Sequence, residues 1–122
     1  DLISRSDIIS FHCKAPKDGK PMITKEHYKK MKPTSYIINA ARGNIVDEKD
    51  LNEALNENLI AGAAIDVFSK EPAKENILFN NPKAILSPHI AASTTEASIV
   101  VAEMVANQLS DFLLKGVKIN TV

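Results

Sequence analysis

The sequence predicts an α/β fold: a partial doubly wound parallel sheet of about four strands, with flanking helices and a long C-terminal helix. Three observations predict it. Short β-rich runs alternate with helical stretches in the order strand–helix–strand–helix–strand, which implies parallel pairing through crossover connections. The inner runs are apolar without alternation, the pattern of strands covered on both faces. A long series of helically spaced apolar residues closes the chain.

The first strand is read at Asp7-Ile8-Ile9-Ser10-Phe11-His12, so the chain begins almost directly with a strand. Pro16, Gly19 and Pro21 break the loop that follows. Thr24 is placed to cap a short helix, with Ile23 and Tyr28 as a hydrophobic staple and Pro33 preventing its continuation. Ser35 to Ala40 is the second strand. Asp47 and Asp50 open the next helix with acids near its positive end, and Leu51, Ala54, Leu55 and Leu59 form its apolar stripe. Ile60 to Val67 is the third strand, and Ala84 to Ser87 the fourth. Ser93-Thr94-Thr95-Glu96 fits a capping box for a helix over 93–115, with Lys115 and Gly116 suited to its end. The tail from Val117 to Val122 is expected to add extended structure or to pack on another domain.

Composition narrows the function classes. Fifteen Lys+Arg balance fifteen Asp+Glu, which argues against nucleic acid and against a polybasic membrane anchor as partners. The uninterrupted apolar runs fall short of the roughly 20 residues of a membrane span, and no secretory leader is expected. A single cysteine, Cys13, excludes an internal disulfide and any multi-cysteine metal site. No metal is expected, and a reducing, cytoplasmic location is. Gly19, Gly43, Gly62 and Gly116 are too widely spaced for a G-x-G-x-x-G loop. With four strands where a complete dinucleotide-binding domain has about six, residues 1–122 read as the C-terminal half of such a domain.

Functional groups in parallel sheets gather at the carboxyl ends of the strands. Arg42 follows the second strand, Asp66 ends the third with Glu71 beyond it, and His89 follows the fourth. An arginine, a carboxylate and a histidine on one rim have a joint use. Arg42 would grip a carboxylate or carbonyl through its planar fork. His89 would move a proton near neutral pH. Glu71 would fix the imidazole tautomer and favour its protonated form. Together they suit interconversion of a 2-hydroxy acid and a 2-keto acid, with a cofactor to take the hydride.

The run Ile38 to Asp47 resembles the arginine motif of the D-isomer-specific 2-hydroxyacid dehydrogenases. Ala64-Ile65-Asp66-Val67-Phe68, followed by Glu71-Pro72, resembles that family's acidic motif, and Ser87-Pro88-His89-Ile90-Ala91-Ala92-Ser93-Thr94 its histidine motif. The three occur in the family's order, and the similarity covers nearly the whole chain. The resemblance implies a Rossmann-like NAD-binding domain, with the helix 93–115 leading back to a substrate domain that lies elsewhere. It implies Arg42, Glu71 and His89 as catalytic residues. It also implies a cofactor pocket of Ala40, Ala41, Arg42, Asp66, His89, Ala91 and Ala92, with Asp66 on the nicotinamide carboxamide. The implied cofactor is NAD, with NADP left open, and the implied partners are a small 2-hydroxy or 2-keto acid and a second subunit of a homodimer. Within the family, the run His89 to Ala97 is most similar to the phosphoglycerate-oxidising branch. The runner-up is glyoxylate or hydroxypyruvate reduction, and a non-catalytic NADH-sensing, corepressor-like module is the alternative of another class. Glu71 disfavours the formate-oxidising branch, which has an amide there. The fragment alone is expected to be inactive.

Taken singly, the residues read otherwise: Arg42 as a surface ion-pair partner, Glu71 as a solvated carboxylate, His89 as a structural histidine. Their shared context reverses this. His12, His27 and Cys13 are read as structural, His27 as part of a solvated lysine-rich helix face with Lys25, Lys29, Lys30 and Lys32.

Overall fold

The computed structural model describes residues 1–120. Four short apolar runs, β1 (Ile8–Phe11), β2 (Tyr36–Asn39), β3 (Gly62–Ile65) and β4 (Ala84–Leu86), pair in parallel in the order β1-β2-β3-β4. Ile9 lies opposite Ile37, which lies opposite Ala63, and Ala63 opposite Ala84. Between the strands lie α1 (Leu2–Arg5), α2 (Lys25–Tyr28), a single 3-10 turn (Gly43–Ile45) and α3 (Glu48–Asn56). The chain divides into two units, Asp1–His89 and Ile90–Val122.

In the first unit the core lies on one face of the sheet. Ile9, Phe11, Ile37, Ala63 and Ile65 pack with Ile23, Tyr28, Ile45, Leu51, Ala54 and Leu55, and all are buried. The helix α3 forms here because Asp47 caps it, its carboxylate accepting the Asp50 N–H at 2.9 Å, while Leu51, Ala54 and Leu55 recur at helical spacing and are fully buried. The other sheet face is open within the unit: Ile8, Tyr36 and Ile85 are 60%, 49% and 77% exposed. Within this unit the strands are covered on one face. Burial alternates along β1 and β2, because α2 and α3 supply their side chains to one face only.

Local differences have local causes. The chain opens with the helical turn α1 rather than a strand, and Ile3 packs against the core. His27 is not merely solvated. Its Nδ1 accepts the Thr24 N–H at 3.1 Å and pairs with Thr24 Oγ1, completing a capping box around α2. Three of the four lysines of that face are paired: Lys25 with Glu53 and Glu57, Lys29 with Glu26, Lys32 with Asp7. These pairs offset part of the basic run and add little stability.

The Tyr28 side chain is fully buried, and its hydroxyl has no partner among the described residues. Burial, with Asp50 and Asp47 nearby, pushes its pKa well up. A buried hydroxyl without a protein partner costs about 1–3 kcal/mol. Tyr28→Phe should therefore leave the thermal midpoint of the intact protein unchanged or raise it; a clear drop would show that the hydroxyl is satisfied.

The second unit is α4 (Thr95–Lys115) and its flanks. Thr94, not Ser93, is the cap: its Oγ1 accepts the Ala97 N–H at 3.1 Å. Gly116, at φ 68°, ends the helix. Its N–H reaches Phe112 O and the Val117 N–H reaches Asp111 O, the bonding of a left-handed C-terminal turn. The described tail turns back so that Val117 and Ile119 share a cavity of about 270 Å3 with Val105, Leu109 and Phe112. Residues 121 and 122 of the expected tail lie outside the described residues. By length and composition α4 is apolar enough to cross a membrane, a correction to the reading that apolar runs fall short. Only Glu103 and Asp111 are charged between Ala97 and Leu114.

Candidate active site

The site of the first unit is built on the carboxyl ends of β2, β3 and β4. The end of β2 is shaped by Asn39, a polar residue 1% exposed in an apolar strand. Its Nδ2 donates to Arg42 O at 2.9 Å and its Oδ1 accepts the Ala41 N–H at 3.2 Å. Both ends of the amide are used, so the turn Ala40-Ala41-Arg42 is held in one shape. Arg42 is exposed, and one guanidinium nitrogen donates to Ala41 O at 2.7 Å.

Asp66 follows β3 and is 6% exposed. A buried carboxylate is costly without hydrogen bonds, and Ser87, just past β4, donates its hydroxyl to Asp66 Oδ1 at 2.6 Å. The chain then turns through Phe68, whose N–H donates to Glu71 Oε1 at 2.9 Å. Glu71 Oε2 lies 2.6 Å from His89 Nδ1. A carboxylate only accepts, so Nδ1 carries the hydrogen and Nε2 is the nitrogen left to exchange a proton with a ligand. His89 sits at φ 56°, a left-handed conformation that costs a non-glycine residue about 1–2 kcal/mol. Such strain is found where a fold fixes a working side chain.

The Phe68 N–H, and after it the His89 hydrogen bond, hold the Glu71 carboxyl below its ordinary value of 4.5. A lowered pKa stabilises the fold above that ordinary value, and the contribution is lost as pH falls through the lowered one. The difference in thermal midpoint between the parent and Glu71→Gln should therefore persist from neutral pH down to about 4.5 and vanish only below it. The gap should be small, since the side chain is 34% exposed. Convergence already at neutral pH would contradict the hydrogen bonding described.

Three cavities surround these groups. One of about 310 Å3 is lined by Arg42, Asn44, Phe68, Glu71 and His89, among others. A second of about 530 Å3 is lined by His12, Cys13, Lys14, Ala40, Ala41 and Arg42. Arg42 thus stands on both. A third of about 620 Å3 is apolar, walled by Phe68, Phe79, Leu86 and Pro88 beside the Glu71–His89 pair. The structure therefore brings Arg42, Glu71 and His89 round one space, with Ala40 and Ala41 on the neighbouring one. Asp66 is buried behind them on Ser87. Ala91 and Ala92 fall in the second unit, ahead of α4. The sequence reading gave no role to Asn39 or Ser87. A polar residue inside or at the end of an apolar strand is the signal that could have found both, because burial demands a partner.

A match to the family model described as D-isomer specific 2-hydroxyacid dehydrogenase, NAD binding domain, covers residues 1–91. The chain belongs to the D-isomer-specific 2-hydroxyacid dehydrogenases. Among relatives of this dehydrogenase family, a glyoxylate reductase of Thermofilum pendens is 45% identical over 94% of this chain and 34% of its own length. A D-3-phosphoglycerate dehydrogenase of Synechocystis is 44% identical over 93% of this chain and 20% of its own length. A crystal structure of an NADPH-dependent glyoxylate/hydroxypyruvate reductase from Sinorhizobium meliloti, solved with NADP and malonate, superposes with a TM-score of 0.79 at 26% identity, over 99% of this chain and 38% of that one. The chain therefore spans about a fifth to a third of the length of these curated relatives.

The matched residues 1–91 are part of an NAD-binding domain. Ala40 and Ala41 put only methyl groups on the wall of the 530 Å3 cavity, which lies at the carboxyl ends of β1 and β2. That is where open α/β sheets take their ligands.

Proposed function

We propose that the protein containing this chain oxidises 3-phosphoglycerate to 3-phosphohydroxypyruvate with NAD, the first step of serine synthesis. The observation that carries the chemistry is the 310 Å3 cavity shared by Arg42, Glu71 and His89. Arg42 binds the substrate carboxylate through its planar guanidinium and holds the C2 oxygen toward His89. His89 Nε2 takes the C2 hydroxyl proton on oxidation and returns it on reduction. Glu71, bonded to Nδ1, keeps the ring in the tautomer and orientation this requires. Ala40, Ala41 and Asp66 hold the nicotinamide end of the cofactor. When bound, NAD supplies the ring carbon that accepts the hydride from C2.

The phosphoglycerate assignment rests on the run His89 to Ala97 and on similarity to D-3-phosphoglycerate dehydrogenases. A second reading, glyoxylate or hydroxypyruvate reduction, is favoured by glyoxylate reductases of equal similarity. The protein acts in the cytoplasm as a homodimer, with α4 giving its apolar side chains to subunit contact rather than to a bilayer. Glu103, Asn107 and Gln108 stand in the middle of that helix, and a charged side chain at a bilayer centre costs about 3 kcal/mol.

Steady-state assays of the intact protein on 3-phosphoglycerate with NAD, and on glyoxylate and hydroxypyruvate with NADH and NADPH, test the assignment. The highest kcat/KM is expected on 3-phosphoglycerate. Higher values on the 2-oxo acids would favour the second reading, and no turnover of any would favour an NADH-sensing module. Arg42→Ala should raise the substrate KM and lower kcat together, because the lost fork serves both binding and orientation.

A further inference from the structure

Glu71 sits on the loop between β3 and β4, which has neither helix nor strand to stiffen it. Its own hydrogen bonds reach Phe68 and His89. The far part of the loop is tied to the body of the first unit by the fully buried Leu78 and by Asn81, which donates to Asn52 and Asn56 of α3. Around Glu71 itself the tie is another carboxylate. Glu48, the first residue of α3, accepts the Ser69 N–H at Oε1 (2.6 Å), and at Oε2 it accepts the Ser69 hydroxyl (2.9 Å) and the Asn76 side-chain amide (2.8 Å). Ser69 and Asn76 bracket Glu71, so both ends of the segment 69–76 close on one side chain. The consecutive amides of Phe68 and Ser69 each serve a different glutamate, Glu71 and Glu48. The helix that carries Glu48 is anchored by the fully buried Leu51 and Leu55, and it follows directly on the turn that carries Arg42.

We propose that Glu48 is a positioning residue for the reaction: by clamping the segment 69–76 to α3, it holds Glu71 on His89 and in register with Arg42. This rests on the acid–base reading of Glu71 and His89. An acid in the first turn of a helix also has a purely structural use, since it complements the helix dipole. The two uses separate by side-chain length. Aspartate keeps the charge at the helix start but is one methylene too short to hold all three donors, whereas glutamine keeps the reach.

The test is steady-state kinetics of the intact protein with Glu48→Asp, Glu48→Gln, Glu71→Gln and the double variant Glu48→Asp/Glu71→Gln. Glu48→Asp should lower kcat by about tenfold, within the up to roughly 100-fold that a misplaced catalytic group costs, with the KM for NAD unchanged. Glu48→Gln should recover part of the loss. In the double variant the two losses should not multiply, because both act through the same imidazole. If Glu48→Asp keeps parental kcat while Glu71→Gln loses it, or if the losses multiply, the positioning role is overturned. If Glu71→Gln itself keeps parental kcat, the acid–base reading fails and takes this inference with it. Should Glu48→Asp not fold, Glu48→Gln is judged by the same cycle against Glu71→Gln.

Discussion

Replacing His89 by alanine in the intact protein is expected to lower kcat by about 10²–10⁴-fold, the contribution of a positioned general acid–base. The KM for NAD should stay close to the parental value. The effect is large because Glu71 takes Nδ1 and leaves Nε2 as the proton-exchanging atom. Alanine also changes the backbone energetics, since residue 89 sits at φ 56° and that region disfavours most side chains. Asparagine tolerates the left-handed conformation and carries no exchangeable proton of suitable pKa. His89→Asn should therefore lose as much turnover as His89→Ala with a smaller loss of thermal stability. If either variant turned over at the parental rate, His89 would not be the proton-transfer group.

Gly43→Ala should lower kcat/KM by about 100-fold or more, because a displacement of about 1 Å at a catalytic group is enough to do so. A Cβ at position 43 would lie 1.9 Å from Phe68 O, 2.0 Å from Phe68 C and 2.5 Å from Ser69 N. These are backbone atoms and cannot rotate away. Either the turn bearing Arg42 or the loop bearing Glu71 must move, and the Phe68 N–H that holds Glu71 moves with it. The same clash should cost about 1–3 kcal/mol of stability, visible as a lowered thermal midpoint in a variant that still folds. Parental kcat/KM in Gly43→Ala would show that this backbone contact does not register the site.

Much of this was legible from local pattern. Asp47, with Leu51, Ala54 and Leu55, announces α3, and Gly116 announces the end of α4. The β-rich runs locate all four strands to within two residues at each end. The motifs around Arg42, Glu71 and His89 put three groups of compatible chemistry at neighbouring strand ends, and the structure places them round one cavity. What was not legible depends on distance along the chain. Nothing near Gly43 says that Phe68 will press against it, and nothing near Glu48 says that Ser69 and Asn76 will bond to it. In sequence, Glu48 is one more acid at a helix start. His27 was misread because a lysine-rich run looks solvated until Thr24 is seen to need its imidazole.

The convergence of Arg42, Glu71 and His89 on one substrate is tested most directly by a crystal structure of the intact protein with NAD and oxamate, a non-reducible mimic of a 2-oxo acid. The expected complex has the oxamate carboxylate on the Arg42 guanidinium and its C2 oxygen about 2.6–3.2 Å from His89 Nε2, with Glu71 still on Nδ1. Oxamate bound away from Arg42, or an imidazole turned from the C2 oxygen, would contradict it.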